Sequence, residues 1–375
     1  MTPRPLADLL PAVAHVLGVP GLADRGRWLA DSFADGPPRH VIVVLVDGLG
    51  AVQLAQPVHA GLAPLLAGLP DLGPLAAPFP SSTCVSLTSF GTGLPPGMHG
   101  IVGTSFRLDD GSVLSPLSWG AEPNPIATQP EPTLLERAAA AGVLVVSAAP
   151  AQHRTSGLTR AALRGGEYPG ADTMGDRVVV AAEAIARARS HDQPALVYVY
   201  WPELDKAAHV HGVDSDRYRE QLVVVDELVT ALAELTGPQT ALLVTADHGM
   251  VEVPDDRRFD LESRPVLRRG VQTILGEPRA RHVYAEPGRA EEVRRNWARE
   301  LGERADVRSR DEISALVGPV DEWYLDRIGD VVAIARDRWG LVSDRIDRLV
   351  SGLRSQHGGL TDAEVLVPLR LAVGG

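Results

Sequence analysis

Five short runs of Val, Ile, Leu and Ala set the strongest limit on what this chain can fold into: HVIVVLV (40–46), GVLVVSAA (142–149), ALVYVYW (195–201), TALLVTA (240–246) and DVVAIA (330–335). None alternates apolar with polar residues as a half-exposed strand does, so each is expected to be covered on both faces. Strands of that kind belong to parallel sheets packed between helices. The intervening segments read as those helices. Thr133 and Glu136 form a capping-box pattern before LLERAAAA, and Gly142 closes that helix. A second helix is expected over about 214–236, opened by Asp214 and Ser215 and carrying Leu222, Val225, Val229, Leu232 and Leu235 in three- and four-residue steps. The expected fold class is α/β, a mostly parallel central sheet with helices on both faces.

Between 254 and 329 charged residues become dense, Pro and Gly punctuate, and HVYAEPGRAEEVRRNWARELG reads as one strand, a turn and one helix. A small inserted α+β cap is expected at 254–329. The core would then be discontinuous, spanning 38–253 and 330–375 with DVVAIA as one of its strands, and 1–37 would be an amphipathic helical extension. At 375 residues the chain can bury a large core without disulfide or metal staples. A net charge of -12 leaves no electrostatic footprint for nucleic acid. Asp8, Pro11 and His15 interrupt the first segment, which excludes a signal-peptide pattern, and no run reaches the roughly 18 apolar residues of a membrane segment. The single cysteine, Cys84, excludes an intramolecular disulfide and fits a reducing compartment, so a cytoplasmic location is expected. Oligomeric state has no signature here.

The acidic residues carry the chemical information. Asp47 follows VIVVLV, Asp247 follows ALLVTA, and Asp205 lies four residues beyond VYVYW. Each stands at the carboxyl end of an expected strand, where open α/β sheets build their sites. Singly, each is as well explained as a loop or turn aspartate. Two have histidine company: Asp247 adjoins His248 in T-A-D-H-G, and Asp205 is one helical turn from His209 in D-K-A-A-H. Carboxylate with imidazole is a ligand set suited to zinc, and also to manganese or iron. His211 fits an outer or surface position better. In FPSSTCVSLTSFGTG the cluster Ser81-Ser82-Thr83 precedes an apolar helical pattern, so one of these hydroxyls sits at a helix N-terminus that favours an anion, or serves simply as its cap. His357 precedes two glycines in S-Q-H-G-G, whose backbone freedom suits a loop imidazole turned toward a site.

This constellation, in this order, resembles the alkaline phosphatase superfamily and, within it, the type I phosphodiesterase and nucleotide pyrophosphatase family. The likeness covers about 38–253 and 328–370 and implies an alkaline-phosphatase-like fold. Carried over by motif, V-D-G implies Asp47 as a metal ligand, and P-S-S-T implies Thr83 as nucleophile and ligand. D-x-x-x-H implies Asp205 and His209, D-H-G implies Asp247 and His248, and H-G-G implies His357. Two divalent ions are implied, zinc first with manganese or iron as alternatives, one on Asp47, Thr83, Asp247 and His248 and the other on Asp205, His209 and His357. The activity implied is hydrolysis of a small phosphate-ester substrate through a phospho-threonine intermediate, as a phosphodiesterase or nucleotide pyrophosphatase.

Three features depart from the family pattern. Thr104 stands where an asparagine commonly steadies the transition-state oxygens. Cys84 occupies the position after the nucleophile that is often an aromatic wall for a nucleobase, although Tyr200 matches the opposite wall. The segment 254–329 carries no aligned motif. Thr104, Cys84 and Tyr200 are the expected substrate-binding positions. A phosphomonoesterase or phosphonate hydrolase on the same core, a metal-dependent mutase and a non-catalytic metal-loaded binding protein are the alternatives. A sulfatase is set aside, because Ser86 and Thr88 occupy the Pro and Arg positions that cysteine conversion requires. His99 is expected to hold a turn, and Trp201 and Pro202 to shape the loop before Asp205.

Overall fold

The computed structural model describes residues 3–374; residues 1, 2 and 375, at the outer ends of the expected extension and core, lie outside it. Nine strands matter for the site, in chain order β1 (His40–Val46), β2 (Leu144–Ala148), β3 (Ala195–Trp201), β4 (Thr240–Thr245), β5 (Val271–Glu277), β6 (Ala280–Ala285), β7 (Ala305–Ser309), β8 (Val331–Ala335) and β9 (Arg370–Val373). The helices are α1 (Leu9–Val16), α2 (Thr83–Thr92), α3 (Leu134–Ala140), α4 (Met174–Ser190), α5 (Glu203–His211), α6 (Asp216–Ala233) and α7 (Ala290–Leu301).

The main sheet has the order β9-β4-β1-β3-β2. Its four longer members are parallel, and β9 pairs antiparallel with β4 at the edge. Every residue of β1, β3 and β4 is buried, so both faces are covered, which is why these runs lack alternation. The helices start where the sequence places their caps. Thr133 and Glu136 close a reciprocal capping box on α3, and the Ser215 side chain accepts from Tyr218 N–H at the head of α6.

Register decides where the site falls. His40 of β1 faces Ala195 of β3 and Thr240 of β4, and Val46 faces Trp201, so the three strands end level. Neighbouring strands stand about 4.8 Å apart, and side chains delivered from three level ends meet. Asp47 N–H donates to the Trp201 carbonyl at 2.9 Å, which locks the first aspartate to that edge.

Two expectations are overturned. The run 330–335 is not a parallel core strand: β8 is the third strand of a separate antiparallel sheet, β5-β6-β8-β7. Val331, Ala333 and Ala335 face the smaller core around Trp297 and Leu301 of α7, while Val332 and Ile334 face the main core. A strand sandwiched between two cores loses its alternation as a parallel strand does, and the run alone cannot tell the two apart. The first segment is helical, as expected, but α1 is not amphipathic. LLPAVAHV is apolar on every side, and α1 is accordingly buried except at His15, within the core that also holds α2. Among the described residues no helix is long and apolar enough to cross a membrane.

Candidate metal centre

Three carboxylates converge at the carboxyl edge of the main sheet. Asp47 leaves β1 and Asp247 leaves β4, both buried, and Asp205 sits in the first turn of α5 just after β3. His248 Nε2 lies 3.4 Å from Asp47 Oδ1 and 3.4 Å from Asp247 Oδ2. The four-residue spacing on α5 sets His209 Nε2 3.4 Å from Asp205 Oδ2. Two donor sets each gather within 4.8 Å: Asp47, Asp247 and His248, and Asp205, His248 and His357. His209 stands beside the second set, its ring centroid 5.1 Å from that of His357.

All three imidazoles are turned the same way. His209 Nδ1 meets the Ser355 carbonyl at 2.7 Å, His248 Nδ1 the Gly249 carbonyl at 3.1 Å, and His357 Nδ1 the Ser81 carbonyl at 3.0 Å. A carbonyl only accepts, so each Nδ1 carries the proton and each Nε2 keeps a lone pair, the arrangement of metal-ligating histidines. The acids match them. Asp47 Oδ1, Asp205 Oδ1 and Asp247 Oδ2 are buried oxygens with no hydrogen-bond donor, a costly state unless a cation faces them.

Burial, then the neighbouring Asp247 and Asp205, pushes the Asp47 carboxyl well above its ordinary value, and a hydrogen bond from the Tyr200 hydroxyl pulls it back in part. Burial likewise raises Asp205 and Asp247. Burial lowers His248, and lowers His357 well below its usual range with His248 and His209 adding repulsion. A pocket that resists both ionised acids and protonated imidazoles is one that a cation would stabilise. The donor chemistry therefore fits divalent ions, with oxygen and imidazole nitrogen suiting zinc, manganese or iron.

Thr83 is the first residue of α2, behind the cap residue Ser82, and its Oγ1 lies 3.1 Å from His248 Nε2. The two serines are engaged elsewhere. Ser81 Oγ donates to the Gly359 carbonyl at 2.9 Å, and Ser82 Oγ lies against Cys84 Sγ at 3.7 Å. Of the three hydroxyls only Thr83 lines the large cavity, about 690 Å³, together with Asp47, Asp205, Tyr168, Tyr198 and Tyr200. That volume suits a small organic ligand.

The remaining expected positions divide. Tyr200 lines the cavity, its ring 6.1 Å from that of His153. Cys84 does not: one residue along the helix from Thr83 its side chain turns inward, fully buried, and its thiol donates to the Gly103 carbonyl at 3.2 Å. Thr104 offers no free donor, because its N–H (3.1 Å) and its hydroxyl (2.5 Å) both go to Glu277 Oε2. His211 is exposed, while His99 is buried between Ser89 Oγ and Ile101 N–H. Glu277, Arg279 and Glu364, buried close to the two glycines after His357, went unmarked in the sequence. Their one local signal was the glycine pair after His357.

Buried acids, imidazoles with unprotonated Nε2 and a helix-terminal hydroxyl, at the carboxyl edge of a largely parallel sheet, define a metal-dependent hydrolase. The chain belongs to the type I phosphodiesterase / nucleotide pyrophosphatase family, whose model matches residues 41–360, and so to the metal-dependent phosphoric ester hydrolases of the alkaline phosphatase superfamily. Murine ectonucleotide pyrophosphatase/phosphodiesterase 5 shares the fold at 19% identity and a TM-score of 0.68, over 89% of this chain and 88% of that one. The human counterpart does so at 17% identity and 0.67, over 89% and 87%. Phosphonoacetate hydrolase from Sinorhizobium meliloti 1021, in complex with phosphonoformate, does so at 20% identity and 0.66, over 90% and 91%. No curated protein matches the chain by sequence.

Proposed function

We propose that the chain is a two-metal phosphodiesterase or nucleotide pyrophosphatase with Thr83 as its nucleophile. Asp47, Thr83, Asp247 and His248 would hold one ion and Asp205, His209 and His357 the other, zinc being the best fit to the donors. Such ions supply positive charge that eases loss of the hydroxyl proton and offsets charge on the phosphoryl oxygens. Three carboxylates and a deprotonated Thr83 would carry four negative charges, which two dications would balance. The observation that carries the assignment is Thr83 Oγ1, at the N-terminus of α2 on the cavity wall, 3.1 Å from His248 Nε2. N–H groups of that first turn face an incoming phosphoryl group. Thr83 oxygen bonds to phosphorus as the leaving oxygen departs and is protonated. Water then displaces the threonine, releasing the phosphorylated product and restoring the hydroxyl.

An inactive threonine-to-alanine variant of the murine relative has been solved in complex with AMP, which supports a threonine nucleophile in this family. Nucleotide preference has weaker support, because Cys84, at the position expected to face Tyr200 across a nucleobase, turns away from the cavity. Phosphonate and monoester cleavage on the same core therefore belong in the substrate panel.

The test is turnover by the zinc- or manganese-loaded protein on p-nitrophenyl diesters, monoesters and phosphonoacetate, with Thr83→Ala alongside. Loss of at least roughly 10³-fold in kcat for the variant is expected, as is a phosphorylated Thr83 peptide on acid quench. Full turnover by Thr83→Ala would overturn the nucleophile. Bound metal with no turnover on any ester or phosphonate would favour a binding protein.

A further inference from the structure

The histidine that completes the ligand set is held by a buried chain of hydrogen bonds that begins in the small sheet. Arg279, between β5 and β6, is fully buried and grips the equally buried Glu364 through two parallel bonds, Nε to Oε1 at 2.9 Å and Nη2 to Oε2 at 2.7 Å. Its Nη1 donates to the Trp339 carbonyl. Glu364 also accepts Gly359 N–H at 2.8 Å and the Thr361 hydroxyl at 2.7 Å. The Gly359 carbonyl accepts from Ser81 Oγ at 2.9 Å, and Ser81 Oγ accepts Gly358 N–H at 3.2 Å. The Ser81 carbonyl then accepts the hydrogen bond from His357 Nδ1 at 3.0 Å. The path ends on the imidazole that faces the acids and on the turn that carries Thr83.

The two glycines after His357 lie against side chains of the small sheet and of this pair. Gly358 has φ +115°, and a Cβ there would stand 2.7 Å from Glu277 Cγ and Oε1. At Gly359 a Cβ would stand 2.7 Å from Glu364 Oε2 and 2.9 Å from Arg279 Nη2. Close approach of the small sheet, rather than mobility, explains H-G-G. Replacing a buried ion pair by apolar residues of the same shape is often neutral or stabilising, so stability alone does not account for this one.

We propose that Arg279, acting through Glu364, is a positioning residue that fixes the His357 imidazole for a divalent ion. The inference rests on His357 being a ligand. Arg279→Lys keeps the charge and removes the planar fork. Zinc or manganese ions alone are titrated calorimetrically into the chelator-treated full chain, with circular dichroism to confirm folding. Arg279→Lys is expected to weaken ion binding by about 10-fold, the low end of the range for groups bonded directly to ligating histidines, since it acts through Glu364, and to lower kcat more than it changes KM. In a His357→Ala background the same change is expected to add less than about 2-fold, since both act through one imidazole.

Wild-type ion affinity in folded Arg279→Lys, or an equal loss in both backgrounds, would overturn the inference. If Arg279→Lys does not fold, Arg279→Met with Glu364→Leu removes both charges together and must show the same loss. His357→Ala binding ions as tightly as wild type would overturn the ligand assignment instead.

Discussion

Glu277 offers the most quantitative test of how the small sheet is joined to the core. Its carboxyl, at the end of β5, is buried beside Thr104 and Gly358; Oε2 accepts both Thr104 donors while Oε1 has none. Burial pushes it from its ordinary 4.5 up to about 7, against the Thr104 hydrogen bonds that hold it down. The folded chain therefore keeps a proton that the unfolded chain releases near 4.5, and stability falls as pH rises between those values. At about 1.4 kcal/mol per pH unit the full loss is about 3 kcal/mol, of which about 2 to 3 kcal/mol falls between pH 5 and 8.5. Glu277→Gln keeps the acceptor for Thr104 and cannot ionise. In urea unfolding of chelator-treated protein, the variant should match or slightly trail wild type at pH 5 and exceed it by about 2 kcal/mol at pH 8.5. Other titrating groups, including the metal-site acids, are common to both proteins and cancel in the difference. Parallel stability–pH curves for the two would refute the argument, because they would mean that Glu277 titrates alike in the folded and unfolded chains.

The metal site and its surroundings make further predictions. Because burial and mutual repulsion raise Asp47 well above its ordinary value, protons compete with ions there at higher pH than for an exposed aspartate; zinc affinity measured at pH 5 should be much weaker than at pH 8, and equal affinities would count against the site. Ions at 100 times their dissociation constant should raise the unfolding free energy of chelator-treated protein by about 2.7 kcal/mol per site, read as a rise in Tm, and no rise would contradict binding to the folded chain. Cys84→Ala should leave kcat within about 2-fold while lowering stability by about 1 kcal/mol, since the thiol meets the Gly103 carbonyl and not the cavity; a large loss of turnover would put that face of α2 back in the site. Gly359→Ala should unfold the 357–364 loop or weaken ion binding, because the added methyl meets both halves of the Arg279–Glu364 pair; normal ion affinity in a folded variant would remove the packing argument.

Much of this architecture is local in origin and so legible in one dimension. Continuous apolar runs gave the parallel sheet because burial on both faces removes alternation, and the aspartates that follow three of those runs lie at its carboxyl edge because parallel strands all end on the same side. Helix spacing set Asp205 beside His209, and cap residues set the starts of α3 and α6. What only the tertiary structure decided has long loops between its parts. DVVAIA sits in the small antiparallel sheet, a choice of neighbours that a doubly buried run leaves open. Ser81 is held out of the cavity by the Gly359 carbonyl, reached from far along the chain. Arg279 and Glu364 meet across 85 residues, and no periodicity marks a pair whose contact is made by packing one sheet against another core. Sequence pattern records which faces are buried; it does not record against what, and the buried contacts behind this candidate metal centre are written in that second term.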